Sequence, residues 1–215
     1  MARMQSRSFC LLLHASIRQM KSTDTKLILS DVDGVLCDWE WAFSVWMQEK
    51  GYTFTKDHKK AYTLHHWFTD LEPVEAKKLI IQFNESAAIG FLPAFRDSMY
   101  YVKRLYEEHG YKFRVITSLS LDKNAGKLRE MNLHKLFGDA IESVICLDTG
   151  ADKDVALAPY KNSGLYWIED RPENADVGHS LGLKSILVEH GHNMHHKPVY
   201  PVVKNWKEIY EIITQ

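Results

Sequence analysis

The second half of the chain alternates short apolar runs with segments of helical character. Four runs rich in branched and aromatic residues follow Leu92-Pro93, and apolar residues recur at helical spacing between them. They cover residues 113–116, 143–147, 165–168 and 185–188, and a fifth run covers 27–29. Strands that alternate with helices form a parallel sheet, because parallel neighbours need a long crossover connection. The sequence therefore predicts an α/β fold with a Rossmann-like parallel sheet of five strands.

Length and composition limit the classes of function. The 215 residues fit one domain with an insertion, and 45% hydrophobic with 26% charged residues is typical of a soluble globular protein. A net charge of -1 argues against nucleic-acid binding through bulk electrostatics. No apolar run reaches the roughly 20 residues that span a bilayer. We therefore expect neither a nucleic-acid partner nor a membrane partner.

Three scattered cysteines, Cys10, Cys37 and Cys146, suggest reduced thiols in a reducing compartment. We therefore predict a cytoplasmic location. Residues 1–25 are basic, with no acidic residue before Asp24, and overlap in composition with an Arg-rich targeting peptide. The favoured interpretation is a disordered N-terminal extension, because Met20 would be a natural start just before the first strand.

Two acidic residues follow the first apolar run. Asp31 and Asp33 stand two positions apart, so both side chains leave the strand end on the same side, and Gly34 permits a sharp turn behind them. Two carboxylates this close repel each other unless a cation lies between them or one is protonated. This arrangement suits a Mg2+ site with a nucleophile and an acid/base group side by side.

Residues 39–91 predict helices and loops without a core strand. Asp38 is placed to cap the first helix, and Pro73 suits the first turn of a later one. We interpret this segment as a small helical cap over the strand end, inserted into a core formed by residues 26–38 and 92–215. Such a cap would exclude water and hold the organic part of a substrate. Trp39, Trp67 and Phe83 are the candidates for stacking on it, with core packing as the alternative.

Two further strands end in polar residues. Thr117 and Ser118 follow one, and Glu169 and Asp170 follow another. Ligands of parallel sheets bind at the carboxyl ends of the strands, so these side chains should meet Asp31 in one crevice.

Phosphoryl transfer suits such a crevice. Asp31 would attack phosphorus and Asp33 would move the proton. Mg2+ would be held by Asp31, Asp33 through its backbone carbonyl, and Asp170, and Thr117 would donate to the phosphoryl group.

One lysine should reach the phosphate and the nucleophile. Lys153 fits best because it opens the helix that leads from one strand end toward Asp170, while Lys123 and Lys127 remain alternatives. The run from His190 to His196 permits a zinc interpretation. No cysteine or carboxylate cluster accompanies it in the sequence, so we favour a surface turn.

The order of these motifs resembles the 5'(3')-deoxyribonucleotidase branch of the haloacid dehalogenase (HAD) superfamily. The resemblance spans roughly residues 26–213 and is carried by Asp31-Val-Asp33-Gly, Thr117-Ser118, Lys153 and Glu169-Asp170-Arg-Pro. It implies Mg2+-dependent hydrolysis of nucleoside monophosphates. By motif, it implies that Asp31 is the nucleophile, Asp33 the acid/base, Thr117 and Lys153 phosphate contacts and Asp170 a metal ligand.

This chain also departs from the family pattern. Leu119-Ser120-Leu121 replaces the proline and lysine that usually follow Thr-Ser, and the cap matches weakly. We therefore expect a phosphomonoesterase that acts on a small phosphate ester, with a nucleoside monophosphate favoured over a sugar phosphate. A non-catalytic binding protein of this fold is a third possibility, and a homodimer is compatible with the sequence.

Overall fold

The computed structural model describes residues 26–56, 58 and 63–215. Its centre is a parallel sheet of six strands in the order β3-β2-β1-β4-β5-β6. The strands are β1 (Leu27–Ser30), β2 (Lys112–Ser118), β3 (Ile141–Leu147), β4 (Tyr166–Glu169), β5 (Lys184–Val188) and β6 (Val202–Val203). The predicted α/β class with a Rossmann-like sheet is confirmed.

Helices occupy the connections between the strands. They are α1 (Trp39–Glu49), α2 (Pro73–Asn84), α3 (Ser98–His109), α4 (Lys123–Phe137), α5 (Asp154–Leu157), α6 (Pro172–Ser180) and α7 (Trp206–Thr214). Short 3-10 segments lie at Leu64–His66, Ala87–Phe91, Gly138–Ala140 and Ala158–Tyr160. The predicted cap of α1 is confirmed, because the Asp38 side chain accepts a hydrogen bond from the Trp41 amide.

The two faces of the sheet bury different clusters of apolar side chains. Along β1 the side chains alternate, so Ile28 joins one cluster and Leu29 the other. The Ile28 cluster also contains side chains from the predicted cap, among them Phe43 and Phe83. Helices α1 and α2 therefore share an apolar core with one face of the sheet. This packing holds them near the carboxyl ends of the strands, where the site forms.

The sequence prediction differs from the structure in two elements. The two-residue strand β6 was not predicted, because a run of two valines after Pro198 and Pro201 carries no strand period. The sequence pattern also predicts a helix at about residues 123–131, and helix α4 continues beyond it to Phe137. The expected disorder of residues 1–25 lies outside the described residues. Within the described part of the chain, no helix is both long and apolar enough to cross a membrane.

Candidate active site

A buried lysine links the ends of β1 and β4. Asp31 directly follows β1, and its amide donates a hydrogen bond to the carbonyl of Ile168 in β4. The Lys153 ammonium lies 2.7 Å from Asp31 Oδ1 and 2.8 Å from Glu169 Oε2. All three side chains are almost fully buried, at 2%, 7% and 0% exposure for Lys153, Asp31 and Glu169. The structure thus places Lys153 beside the predicted nucleophile, whereas Lys123 and Lys127 are exposed on α4.

Three carboxylates converge next to this lysine. Oxygen atoms of Asp31, Glu169 and Asp170 all lie within 4.8 Å of one another. Burial, followed by the charge of Asp31, raises the pKa of Glu169 to about 7. Burial and the charges of Glu169 and Asp31 raise the pKa of Asp170 well above its usual value. Three acids beside one ammonium leave excess negative charge, and hard oxygen donors of this kind fit Mg2+.

The loop after Asp33 requires a glycine. Gly34 has φ +76°, and a Cβ atom there would lie 2.4 Å from Asp170 Oδ2. Its carbonyl accepts a hydrogen bond of 2.8 Å from Nε2 of the buried His190. The absence of a side chain at residue 34 therefore lets the loop pass directly against Asp170.

Asp33 is held by an arginine that the sequence prediction did not include. The Arg129 guanidinium donates to both carboxylate oxygens of Asp33, at 2.7 and 3.1 Å. The side chain of Arg129 is fully buried on α4, whereas that of Asp33 is 25% exposed and faces the cavity. Burial raises the pKa of Asp33. The charge of Arg129 opposes this effect but does not cancel it, so the pKa stays above its usual value.

The two hydroxyls at the end of β2 differ in their hydrogen bonds. Thr117 is fully buried, and its Oγ1 has no hydrogen-bond partner among the described residues. Thr117 does not line the cavity, but a buried hydroxyl without a partner is costly, so Oγ1 is available to donate to an anion that approaches the end of β2. Ser118 lines the cavity, but its hydroxyl donates to the carbonyl of Ala151 at 2.7 Å.

A cavity of about 430 Å3 opens above these groups. Trp39 and Trp67, two of the three predicted stacking residues, lie in its wall. Phe83, the third, is not in the wall, because it is fully buried against Trp39, Phe43 and Trp46. The structure therefore does not bring Phe83 to the site, and its side chain packs in the core behind Trp39.

Asn84, at the end of α2, connects Trp39 in α1 to the loop after β2. Its side-chain oxygen accepts a 2.9 Å hydrogen bond from the Trp39 indole, and its amide donates at 2.9 Å to the carbonyl of Leu119. Asn84 is 3% exposed, so both bonds are shielded from water. The position of Trp39 in the cavity wall is therefore fixed relative to the loop that follows β2.

The run from His190 to His196 is more than a surface turn, because two of its residues support the site. His190 and Asn193 are buried, and the Asn193 amide donates to the carbonyls of Asp170 and Val188 at 2.7 and 2.8 Å. The sequence interpretation found no carboxylate near these histidines. In the structure, Glu40 from α1 brings a carboxylate oxygen within 4.8 Å of ring nitrogens of His190 and His192. The two imidazole rings stack with 5.4 Å between their centroids, and Nε2 of His190 is already bonded to the Gly34 carbonyl.

Sequence reasoning missed Arg129 and Asn84 as parts of the site. Arg129 carried a usable signal, because Ala125 and Leu133 lie one helical turn before and after it on the buried face of α4. Asn84 carried none, since its partners are a residue at the start of the cap and a backbone carbonyl far along the chain.

Comparisons with known proteins identify the fold. No family model matches the sequence. A 32.4 kDa protein from the Gp30-rIII intergenic region of Enterobacteria phage T4 is 26% identical over 158 residues, covering 69% of this chain and 55% of that protein. The chain thus spans about half the length of this curated relative.

Similar solved structures include several HAD-superfamily hydrolases. A haloacid dehalogenase-like hydrolase from Streptococcus pneumoniae superposes with a TM-score of 0.60 at 14% identity, covering 89% of this chain and 99% of that one. A D,D-heptose 1,7-bisphosphate phosphatase from B. bronchiseptica, complexed with magnesium and phosphate, gives 0.55 at 13% identity over 88% and 98%. The chain therefore has the HAD fold, and its activity must be argued from the site.

Proposed function

We propose that the protein is a phosphomonoesterase of the HAD type. The observation that carries this proposal is the contact of Lys153 with Asp31 and Glu169, beside a third carboxylate, Asp170, at the carboxyl edge of the sheet. A lysine held against a nucleophilic carboxylate fixes its position and supplies positive charge for a phosphoryl oxygen. The solved phosphatases of the same fold support the proposal.

The first half of the proposed reaction transfers the phosphoryl group to Asp31. A carboxylate oxygen of Asp31 attacks phosphorus, and the bond from phosphorus to the ester oxygen breaks. Asp33, at the cavity surface, gives its proton to the departing alkoxide. The Thr117 hydroxyl and the Lys153 ammonium donate to the phosphoryl oxygens, which satisfies the buried Thr117 Oγ1.

The second half hydrolyses the aspartyl-phosphate. Asp33, now ionised, takes a proton from a water molecule that attacks phosphorus. The bond between phosphorus and Asp31 breaks, and inorganic phosphate leaves with the Asp31 carboxylate restored. Asp31, Glu169 and Asp170 are the residues that would hold Mg2+, which when bound offsets negative charge on the phosphoryl oxygens.

We propose a nucleoside monophosphate as the substrate. The indoles of Trp39 and Trp67, 8% and 4% exposed, reach the cavity wall and can contact a base there, and a volume of about 430 Å3 is in the range of small-ligand sites. The resemblance of the motif order to deoxyribonucleotidases supports the same substrate class. A sugar phosphate has no planar ring that could stack on an indole.

Phosphate release from a panel of deoxynucleoside, nucleoside and sugar monophosphates tests the proposal. We expect Mg2+-dependent release that is fastest with nucleotides and is lost in Asp31→Asn, which preserves the shape of the side chain. Faster turnover of sugar phosphates would contradict the substrate class. No release from any phosphate ester would contradict the enzymatic function and favour a binding protein.

Binding of Mg2+ can be measured without turnover. We expect Mg2+ to raise the midpoint of thermal unfolding of the wild-type protein, because a ligand that binds only the folded state stabilises it. The rise should be much smaller in Asp170→Asn. An equal rise in both proteins would show that Asp170 does not hold the ion.

A further inference from the structure

Asp33 differs from the three carboxylates that could share a cation. Asp31, Glu169 and Asp170 form a group within 4.8 Å, and Asp33 belongs to no such group among the described residues. Both of its oxygens are instead bound by Arg129, at 2.7 and 3.1 Å. A two-point contact to a planar guanidinium fixes the rotation of a carboxylate as well as its position.

Arg129 has no other role visible in its contacts. It is fully buried, and its Nε has no hydrogen-bond partner in the described part of the chain. The burial of a guanidinium is unfavourable unless a carboxylate offsets it, so the pair is held together strongly. The side chain of Asp33 is 25% exposed, and Asp33 lines the cavity.

We propose that Arg129 is a positioning residue that holds Asp33 at the cavity surface and keeps its carboxylate off the cation. This inference rests on the proposed function for its catalytic part. A carboxylate two residues from Asp31 is otherwise drawn toward a divalent ion, and a carboxylate bound to that ion is a poor base for water. Arg129 thus keeps the Asp33 carboxylate available to take a proton from water. This proton transfer allows the water to release phosphate from Asp31.

Arg129→Lys tests the proposal, because lysine keeps the charge but cannot hold both oxygens in one plane. General acid–base catalysis contributes about 10²- to 10⁴-fold, so we expect kcat for p-nitrophenyl phosphate to fall at least about tenfold, and KM to fall with it because hydrolysis of the aspartyl-phosphate becomes the slow step. Aspartyl-phosphate should accumulate, seen as a burst of p-nitrophenol from p-nitrophenyl phosphate. Calorimetry should show tighter Mg2+ binding, since Asp33 becomes free to join the ion.

Arg104→Lys is the matched control. The Arg104 guanidinium donates to both carboxylate oxygens of Glu108, at 2.7 and 2.8 Å, outside the cavity wall. We expect this variant to show neither a burst nor a change in Mg2+ affinity. Weaker or unchanged Mg2+ binding in Arg129→Lys, without a burst, would overturn the proposal and leave Arg129 a purely structural residue.

A wild-type measurement decides the case if Arg129→Lys does not fold. In a crystal structure of the Mg2+-bound protein, Asp33 should remain on Arg129 with its side-chain oxygens away from the ion. An Asp33 oxygen bound to Mg2+ would overturn the proposal. This result and the Mg2+ affinities do not depend on turnover, so they distinguish failure of this inference from failure of the proposed phosphatase activity.

Discussion

Single residues decide how closely the acidic groups of the site approach one another. Gly34 is the clearest case, because its left-handed backbone and missing side chain let the loop lie against Asp170. His190 secures the same loop through its bond to the Gly34 carbonyl. Both residues act through geometry, and each supports a prediction that does not require a known substrate.

Gly34→Ala should abolish Mg2+ binding. Its Cβ would lie 2.4 Å from Asp170 Oδ2, so the carboxylate must move, and the left-handed backbone adds a cost of about 1–2 kcal/mol. Gly51→Ala is the control, since Gly51 has φ +91° with nothing within 4 Å of the added atom. Both variants should lose stability in urea, Gly34→Ala the more because of its clash, and only Gly34→Ala should lose Mg2+ affinity by calorimetry. Retained affinity would show that the site tolerates a displaced Asp170.

His190→Gln should reduce the loss of stability in mild acid. Burial, with the charges of His192 and Arg96, lowers the pKa of His190 to about 4. Neutral His190 therefore contributes on the order of 3 kcal/mol to the free energy of unfolding. This contribution is complete above the unfolded-state pKa near 6.5 and is lost as the pH falls toward 4. Urea unfolding of both proteins at pH 7 and pH 4.5 measures the difference. Parallel pH dependence in wild type and variant would contradict a neutral buried His190, and His195→Gln, at an exposed position, serves as control.

The local sequence was sufficient to place some residues of the site. Asp31, Asp33 and Asp170 follow strands that could be predicted, so the rule for parallel sheets placed them at one edge. The burial of Phe83 behind Trp39 could not be predicted, because it depends on how helices pack against the sheet. The helical spacing of Ala125, Arg129 and Leu133 indicated the buried face of α4, but not that Arg129 would meet Asp33 there.

Helix and strand packing fixes the distance between β4 and α6. Gly178 in α6 lies against the fully buried Trp167 of β4, and Trp167 donates its indole hydrogen to the carbonyl of Asn174. Because α6 begins two residues after Asp170, its distance from the sheet also sets where the metal-binding acids stand. The close contact of Gly178 with Trp167 therefore helps to set the position of Asp170.

Gly178→Ala should destabilise the protein by about 1–3 kcal/mol, as expected for overpacking a filled core. The added Cβ would lie 2.3 Å from Trp167 Cδ1. Gly126→Ala in α4 is the control, because the nearest atom there is Cys146 Sγ at 3.8 Å, and alanine favours a helix by up to about 1 kcal/mol. Opposite changes in the urea midpoint are expected. A stabilising effect at residue 178 would show that α6 can shift without cost.

Helices and strands could be predicted where the hydrophobic pattern covers enough residues to show its period. Five strands were predicted because each has at least three apolar residues within a run of three to five, whereas β6 has two residues and pairs only with β5. The cap was predicted as helical, and α1 and α2 are its helices. The contact of this segment with the core depends on aromatic packing among distant residues, which sequence periodicity does not contain.

Across the whole molecule, the cap and one face of the sheet bury a continuous apolar cluster. Small domains with a continuous core usually unfold in a single step. We therefore expect one calorimetric transition in which the calorimetric and van't Hoff enthalpies agree. Two transitions, or a van't Hoff enthalpy well below the calorimetric one, would show that residues 39–91 unfold separately from the sheet.

The proposed reaction requires that the Asp31 carboxylate beside Lys153 receives the phosphoryl group. The protein can be quenched in acid during turnover of a nucleoside monophosphate with Mg2+, reduced with borohydride and mapped by mass spectrometry. We expect an acyl-phosphate at Asp31 that is absent without Mg2+. Steady phosphate release with no modification at Asp31, and with Asp31→Asn still active, would contradict it.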